Sequence, residues 1–182
     1  MKTFLKKITN HFGYRISRIS NYPLQNQNPL VAIKESIRNY NNVVLFDVGA
    51  NLGQTISKMK LEFPGSKIYA FEPSRICYEI LLNNLDFENV LVFNNAVGSR
   101  ISKVKFNEYS WSAMSSVLKR SFGSAQIINT YDVDLITVDS FCKLNNVSKI
   151  DLLKTDTEGF ELEVLKGASE MLEQNKIQFV YL

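Results

Sequence analysis

This 182-residue sequence is poor in several residues that would otherwise dominate a functional reading. It has two cysteines, Cys77 and Cys142, at neither a metal-ligand nor a paired-motif spacing. A disulfide framework and a cysteine-ligated zinc site are therefore excluded, and a reducing cytoplasm is the simplest location. It has a single histidine, His11, far upstream of the patterned part of the chain, so no histidine base is expected in the core. No apolar run approaches the length of about 18 residues that a membrane-spanning helix needs, and the N-terminus lacks the apolar core of a signal peptide. Acidic residues are missing from positions 1–34, which carry Lys2, Lys6, Lys7, Arg15, Arg18 and Lys34 for a charge of +6, against +3 for the whole chain. Hydrophobic content of 45% and charged content of 21% are globular values, and the length suits one domain.

The basic segment is interleaved with Phe4, Leu5, Ile8, Phe12, Tyr14, Ile16 and Ile19. Residues 1–41 read as a basic helical extension. It either packs on the domain with its charges in water or makes weak contact with a membrane surface or a partner. A six-charge tail without a basic domain face is not a nucleic-acid footprint, so no nucleic acid is expected.

From residue 42 the chain alternates. Val43–Val48, Lys67–Phe71 and Val90–Asn94 read as strands. They are separated by helices over Gln54–Phe63, with Ile56, Met59 and Phe63 inward, and from the Ser74 cap to Leu85, with Ile76, Ile80 and Leu81 inward. Asn28-Pro29 starts an earlier helix running to Tyr40. Strand–helix–strand alternation requires a parallel sheet. Residues 101–138 break the pattern, with short strands at Val104–Phe106, Ser116–Leu118 and Val133–Thr137. A short helix at Asp139–Leu144, a strand at Ile150–Thr155, a helix over Phe160–Glu173 and a strand from Ile177 to Leu182 follow.

The first strand ends Phe46-Asp47-Val48-Gly49-Ala50-Asn51-Leu52-Gly53, and the second ends Phe71-Glu72-Pro73, with Glu72 23 positions after Gly49. Gly49 and Gly53 let backbone approach a ligand beside a helix N-terminus, and Glu72 at a strand tip suits the two hydroxyls of a ribose. Three ligands compete. The dinucleotide fingerprint needs two further glycines where Asn51 and Gln54 stand, and no phosphate-loop motif is present. The Asp47 carboxylate would repel a pyrophosphate but attract the ammonium and sulfonium of S-adenosylmethionine, directly or through water. One such contact at ~4 Å is worth about 1–4 kcal/mol. Asn51 joins Asp47 as a candidate at the methionine end, with Ala50 as close-approach backbone. Pro73 fixes the chain after Glu72. Asn95, Ala96 and Val97, at the third strand end, face the adenine, with a self-bonded turn as the alternative for Asn95.

Asp156 stands at the carboxyl end of the Ile150–Thr155 strand, where open α/β sheets bind ligands. A hydroxyl that attacks a sulfonium methyl must lose its proton, and Asp156 or Glu158 could take it. Capping the following helix is the alternative role for each, and Glu161 and Glu163 read as solvated first-turn acids. No second acid or amide is spaced to complete a metal site with Asp156, so no metal is expected. Trp111 either lines a sugar subsite or plugs the irregular segment.

The block Ile150-Asp151-Leu152-Leu153-Lys154-Thr155-Asp156-Thr157-Glu158-Gly159-Phe160-Glu161, continuing to Ala168, resembles the signature of the FkbM-type methyltransferases. The Asp47–Gly53 block, Phe71-Glu72-Pro73 and Asn95-Ala96-Val97-Gly98 are similar to the cofactor half of the same family. The resemblance covers residues 42–182. It implies a doubly wound, mostly parallel class I methyltransferase fold of the Rossmann-like type, S-adenosylmethionine as donor, and O-methylation of a sugar, glycolipid or natural-product hydroxyl. It also implies seven strands, of which this chain reaches the fifth. The domain over 42–182 is thus expected to lack the last two strands. That leaves open a non-catalytic cofactor-binding remnant as a rival reading, beside a nicotinamide-dependent oxidoreductase.

Overall fold

The computed structural model describes residues 28–37, 42–84, 88–119 and 124–182. The basic segment, His11 and the expected helix end near Tyr40 lie outside these residues. The chain divides into two units, 1–38 and 39–182. In the first, helix α1 (Pro29–Ser36) starts as its sequence directs. The Asn28 side chain accepts from the Leu30 N–H, and proline occupies the first turn, where its missing N–H costs nothing.

The second unit is built on a five-stranded, wholly parallel sheet. Its strands are β1 (Val44–Val48), β2 (Lys67–Phe71), β3 (Val90–Phe93), β7 (Ile150–Thr155) and β8 (Ile177–Tyr181), in the order β3-β2-β1-β7-β8. Helices α2 (Gln54–Glu62), α3 (Arg75–Asn84), α4 (Val138–Leu144), α5 (Glu161–Lys166) and α6 (Ser169–Glu173) connect and flank it. The α/β, mostly parallel fold read from the alternation is the fold found. The order reverses between β1 and β7, and the crevice at that switch point is where such sheets bind ligands.

Apolar runs explain the central strands. All six residues of β7 are buried, as are Leu45 to Val48 of β1, the pattern of strands covered on both faces. Phe141 of α4 sits edge-on to Phe46, Tyr69, Phe71 and Phe93, with ring centroids 4.8–5.6 Å apart. Edge-to-face geometry of this kind adds about 0.5–1.5 kcal/mol per pair beyond area burial. Two polar residues in β7 are accounted for by neighbours. Asp151 accepts the Val44 N–H at 2.8 Å and fixes the start of β1, and Lys154 is described below.

The irregular segment forms a second, three-stranded sheet, β4-β6-β5, from β4 (Ala96–Val97), β5 (Ser102–Tyr109) and β6 (Ile127–Ile136). β5 and β6 are longer than the strands expected at Val104–Phe106 and Val133–Thr137; β4, where no strand was expected, pairs parallel to β6, and β5 pairs antiparallel to it. Ser116 contributes one bridge, to Asn107, instead of a strand. Alternation in this sheet is masked by polar residues that bond one another. Buried Asn107 donates to the Ser116 and Val117 carbonyls and accepts from the Thr130 hydroxyl.

Two further differences concern helices. Ile76 is exposed, and Cys77 with Leu81 forms the inward face of α3, because Ser74 starts the helix with Cys77 as the first inward position. The single helix expected over Phe160–Glu173 is two, α5 and α6, broken at Gly167. A Cβ on Gly167 would lie 1.9 Å from the Gly98 carbonyl oxygen, so only glycine permits this approach. The break is locked by Asp139. Its N–H donates to the Gly167 carbonyl, and its carboxylate accepts the Glu170 and Met171 N–H groups at the start of α6.

Candidate functional site

At the carboxyl ends of the strands lies an open cleft. Its walls come from five places. The β1 turn gives Val48, Gly49 and Asn51, and the β2 end gives Phe71, Glu72 and Pro73. Asn95, Ala96 and Val97 line it from β4 and its approach, and Asp156, Thr157, Glu158 and Phe160 from the loop after β7. Segments of the irregular region close it, with Phe106, Ser112, Ala113, Ser115, Ser116 and Val117. Most of the site residues read from the sequence thus share one cavity. Among the described residues, its wall carries three carboxylates and no lysine or arginine.

The β1 turn is held from within. Gly49 has φ +78°, and a Cβ there would fall 2.1 Å from the Asp156 carbonyl oxygen, so the glycine serves the approach of two strand ends. The Gly49 and Ala50 N–H groups both donate to the Phe71 carbonyl, and the Gly53 N–H to the Ala50 carbonyl. The turn's N–H groups are spent inside the protein. Ala50 and Gly53, read from the sequence as close-approach backbone, are not among the residues that line the cleft. Gly53 instead starts α2 with φ +85°.

Asp47 also sits elsewhere than expected. It is fully buried behind the turn, off the cleft wall, with Oδ1 2.7 Å from Lys154 Nζ. Lys154 Nζ also donates to the Gly49 carbonyl at 2.9 Å. Burial raises the Asp47 carboxyl above its usual range. Lys154 works against this, and Asp156 adds to the rise. Lys154 was not among the candidate residues. The signal was present, a cation inside a central strand that is buried on both faces and so needs a partner.

Glu72 is buried and reaches the cleft. Its Oε2 accepts the Asn51 N–H and its Oε1 the Ser74 N–H, both at 2.7 Å. Asn51 meets this bond in a left-handed conformation, φ +48°, which asparagine tolerates. Desolvation pushes the Glu72 carboxyl from 4.5 up to about 7, against the lowering effect of the two N–H bonds. One N–H per oxygen leaves each oxygen further acceptor capacity toward the cleft. Asn94 fixes the backbone beside it, donating to the Glu72 and Pro73 carbonyls.

Asp156 is exposed in the cleft mouth, its N–H held by the Val48 carbonyl. Glu158 follows with φ +56°. The N-cap position of α5 is Phe160, which makes no side-chain cap bond. Glu161, expected to be solvated, holds the loop instead. It is half-buried, accepts from the Thr157 N–H and hydroxyl and from the Gly159 N–H, and these bonds lower its carboxyl below the usual value. Glu163 likewise is not simply solvated; it pairs with Lys166 and accepts from the Ser99 hydroxyl. The buried Ser116 hydroxyl donates to the Thr157 and Glu158 carbonyls and ties the irregular region to this loop. Trp111 is 56% exposed beside the Ser112–Met114 turn, so it does not plug the core.

Comparison with known proteins agrees with this geometry. The methyltransferase FkbM domain matches residues 47–182. Among curated relatives, methyltransferase sdnD of Sordaria araneosa is 31% identical over 164 residues, covering 71% of this chain and 61% of its own length. Hexuronic acid methyltransferase AglP of Haloferax volcanii is 30% identical over 132 residues, covering 71% and 52%. The 2-O-methyltransferase NoeI of Sinorhizobium fredii is 23% identical over 151 residues, covering 76% and 61%. The chain thus spans only about half to three fifths of the length of these relatives. With the domain match extending over most of the sequence, the chain belongs to the FkbM methyltransferase family.

Proposed function

We propose that the protein is an S-adenosylmethionine-dependent O-methyltransferase acting on a hydroxyl of a sugar or a related small molecule. The observation that carries this reading is the pairing, in one cleft, of a buried N–H-held carboxylate, Glu72, with an exposed carboxylate, Asp156. The residues present fit the donor. The spare acceptor capacity on Glu72 suits two ribose hydroxyls, Asn95 with Ala96 and Val97 lines the adenine side, and a wall that carries three carboxylates and, among the described residues, no lysine or arginine suits a sulfonium. When bound, S-adenosylmethionine supplies an electrophilic methyl group.

The chain's own residues do the rest. Glu72 orients the nucleoside. The Asp47–Lys154 pair holds the Gly49 carbonyl and with it the β1 turn. Asp156 takes the proton of the acceptor hydroxyl as it attacks, with Glu158 as the second candidate on the same loop. Glu161 and Ser116 keep that loop in place. The sugar acceptor is supported by two relatives whose names specify a hexuronic acid and a 2-O position.

The test is transfer of a labelled methyl group from S-adenosylmethionine to a panel of hexose and hexuronic acid glycosides. Alkali-stable label on a ring hydroxyl is the expected result. Label confined to amine or thiol acceptors would overturn the O-methylation assignment.

A further inference from the structure

Glu108 has no role in the site as described, yet it is a buried carboxylate on β5 with no ion pair among the described residues. Burying such a group is costly unless its bonds repay it. Its Oε1 accepts two hydroxyls, Ser74 Oγ at 2.6 Å and Tyr131 OH at 2.7 Å. Tyr131 OH in turn accepts the Arg75 N–H at 3.0 Å, and the Arg75 guanidinium lies over the Tyr131 ring, 4.4 Å from its centroid. Ser74 is thereby gripped from two sides. Its hydroxyl accepts the Cys77 N–H at the start of α3 and donates to Glu108, while its own N–H holds Glu72 Oε1. A serine that only caps a helix needs no second partner. Here the second partner belongs to the other sheet and lies one residue's bond away from the carboxylate of the cleft.

We propose that Glu108 and Tyr131 are positioning residues that aim the Glu72 carboxylate at the nucleoside by fixing Ser74. The proposal rests on the reading of Glu72 as the ribose ligand. It makes the second sheet part of the cofactor site, although neither Glu108 nor Tyr131 lines the cleft.

The test is calorimetric titration of the full chain with S-adenosylhomocysteine, which needs no acceptor. Glu108→Ala, Glu108→Gln and Tyr131→Phe are each measured alone and combined with Glu72→Gln. Loss of the two hydroxyl bonds in Glu108→Ala should weaken binding about tenfold, and loss of one in Tyr131→Phe about three- to fivefold. Glu108→Gln should restore near-normal affinity, because its amide oxygen still accepts both hydroxyls. In the Glu72→Gln background, Glu108→Ala should change affinity less than about twofold, since the group it aims is no longer a carboxylate. Equal losses in both backgrounds, or unchanged affinity with only a lower melting temperature, would reduce the network to a structural link and overturn the proposal. Should Glu108→Ala not fold, Tyr131→Phe carries the same comparison, as it keeps the ring against Phe106 and Arg75. Wild-type affinity retained in Glu72→Gln alone would instead overturn the ribose reading, and this proposal with it.

Discussion

Replacing Lys154 by methionine tests whether the cofactor half of the sheet is held by a buried ion pair. Met is close in length and keeps the packing, so the change isolates the charge. Asp47 is fully buried, its Oδ1 faces only Lys154 Nζ at 2.7 Å, and Oδ2 has no hydrogen-bond partner among the described residues. Removing one partner of such a pair costs about 3–5 kcal/mol, and the lost bond to the Gly49 carbonyl adds about 1 kcal/mol. Against a typical stability of about 5–15 kcal/mol, the variant would be marginal near neutral pH. The sign of its pH dependence follows from Asp47. Its folded carboxyl is already raised above 3.8 by burial, and losing Lys154 raises it further. Between the unfolded and folded values, the folded state binds more protons. Stability therefore falls as pH rises through that window, and the deficit is smallest in acid. Adding Asp47→Asn removes the stranded charge, so the double variant should recover most of the loss. Urea unfolding followed by circular dichroism at pH 5 and pH 8 measures all three. A Lys154→Met protein within about 1 kcal/mol of wild type at pH 8, or a double variant no better than the single, would refute the reasoning.

Gly49→Ala should destabilise by several kcal/mol, on the order of 3 or more, because its Cβ would meet the Asp156 carbonyl at 2.1 Å in a left-handed conformation; thermal melts check this. If Glu72 holds the ribose as proposed, affinity for S-adenosylhomocysteine should rise as pH passes through about 7, where Glu72 ionises, and level off about a unit above, and Glu72→Gln should flatten the profile. The same raised carboxyl stabilises the free protein in acid and loses that contribution as pH rises from 4.5 to about 7, which a paired melting series would read. Asp156→Asn should lower kcat by ~10²-fold or more with cofactor affinity within a few-fold, and the larger of its loss and that of Glu158→Gln marks the base.

The parallel half of the fold was legible because its strands are short, largely apolar runs separated by helical segments, as in Lys67–Phe71 and Val90–Phe93, and that alternation requires a parallel sheet. Glu72, Asn95, Ala96, Val97 and Asp156 were legible as lining because strand ends at a switch point face one crevice. The pairing of Asp47 with Lys154 was not legible, because the partner lies 107 residues away in a different strand and local pattern carries no register. The second sheet was read short for a related reason. Polar residues such as Asn107 and Glu108 find partners across the strands in Thr130 and Tyr131, so they bury without breaking the sheet yet break its apolar signature. The helix break at Gly167 depends on the approach of Gly98, again a contact no local window contains.

The most direct test of the account is calorimetric titration of the wild-type chain and Glu72→Gln with S-adenosylhomocysteine and, separately, with NAD. The account predicts saturable one-to-one binding of S-adenosylhomocysteine, no heat with NAD, and affinity lowered about ten- to a hundredfold by Glu72→Gln. NAD binding in place of S-adenosylhomocysteine, or equal affinity for S-adenosylhomocysteine in both proteins, would contradict it.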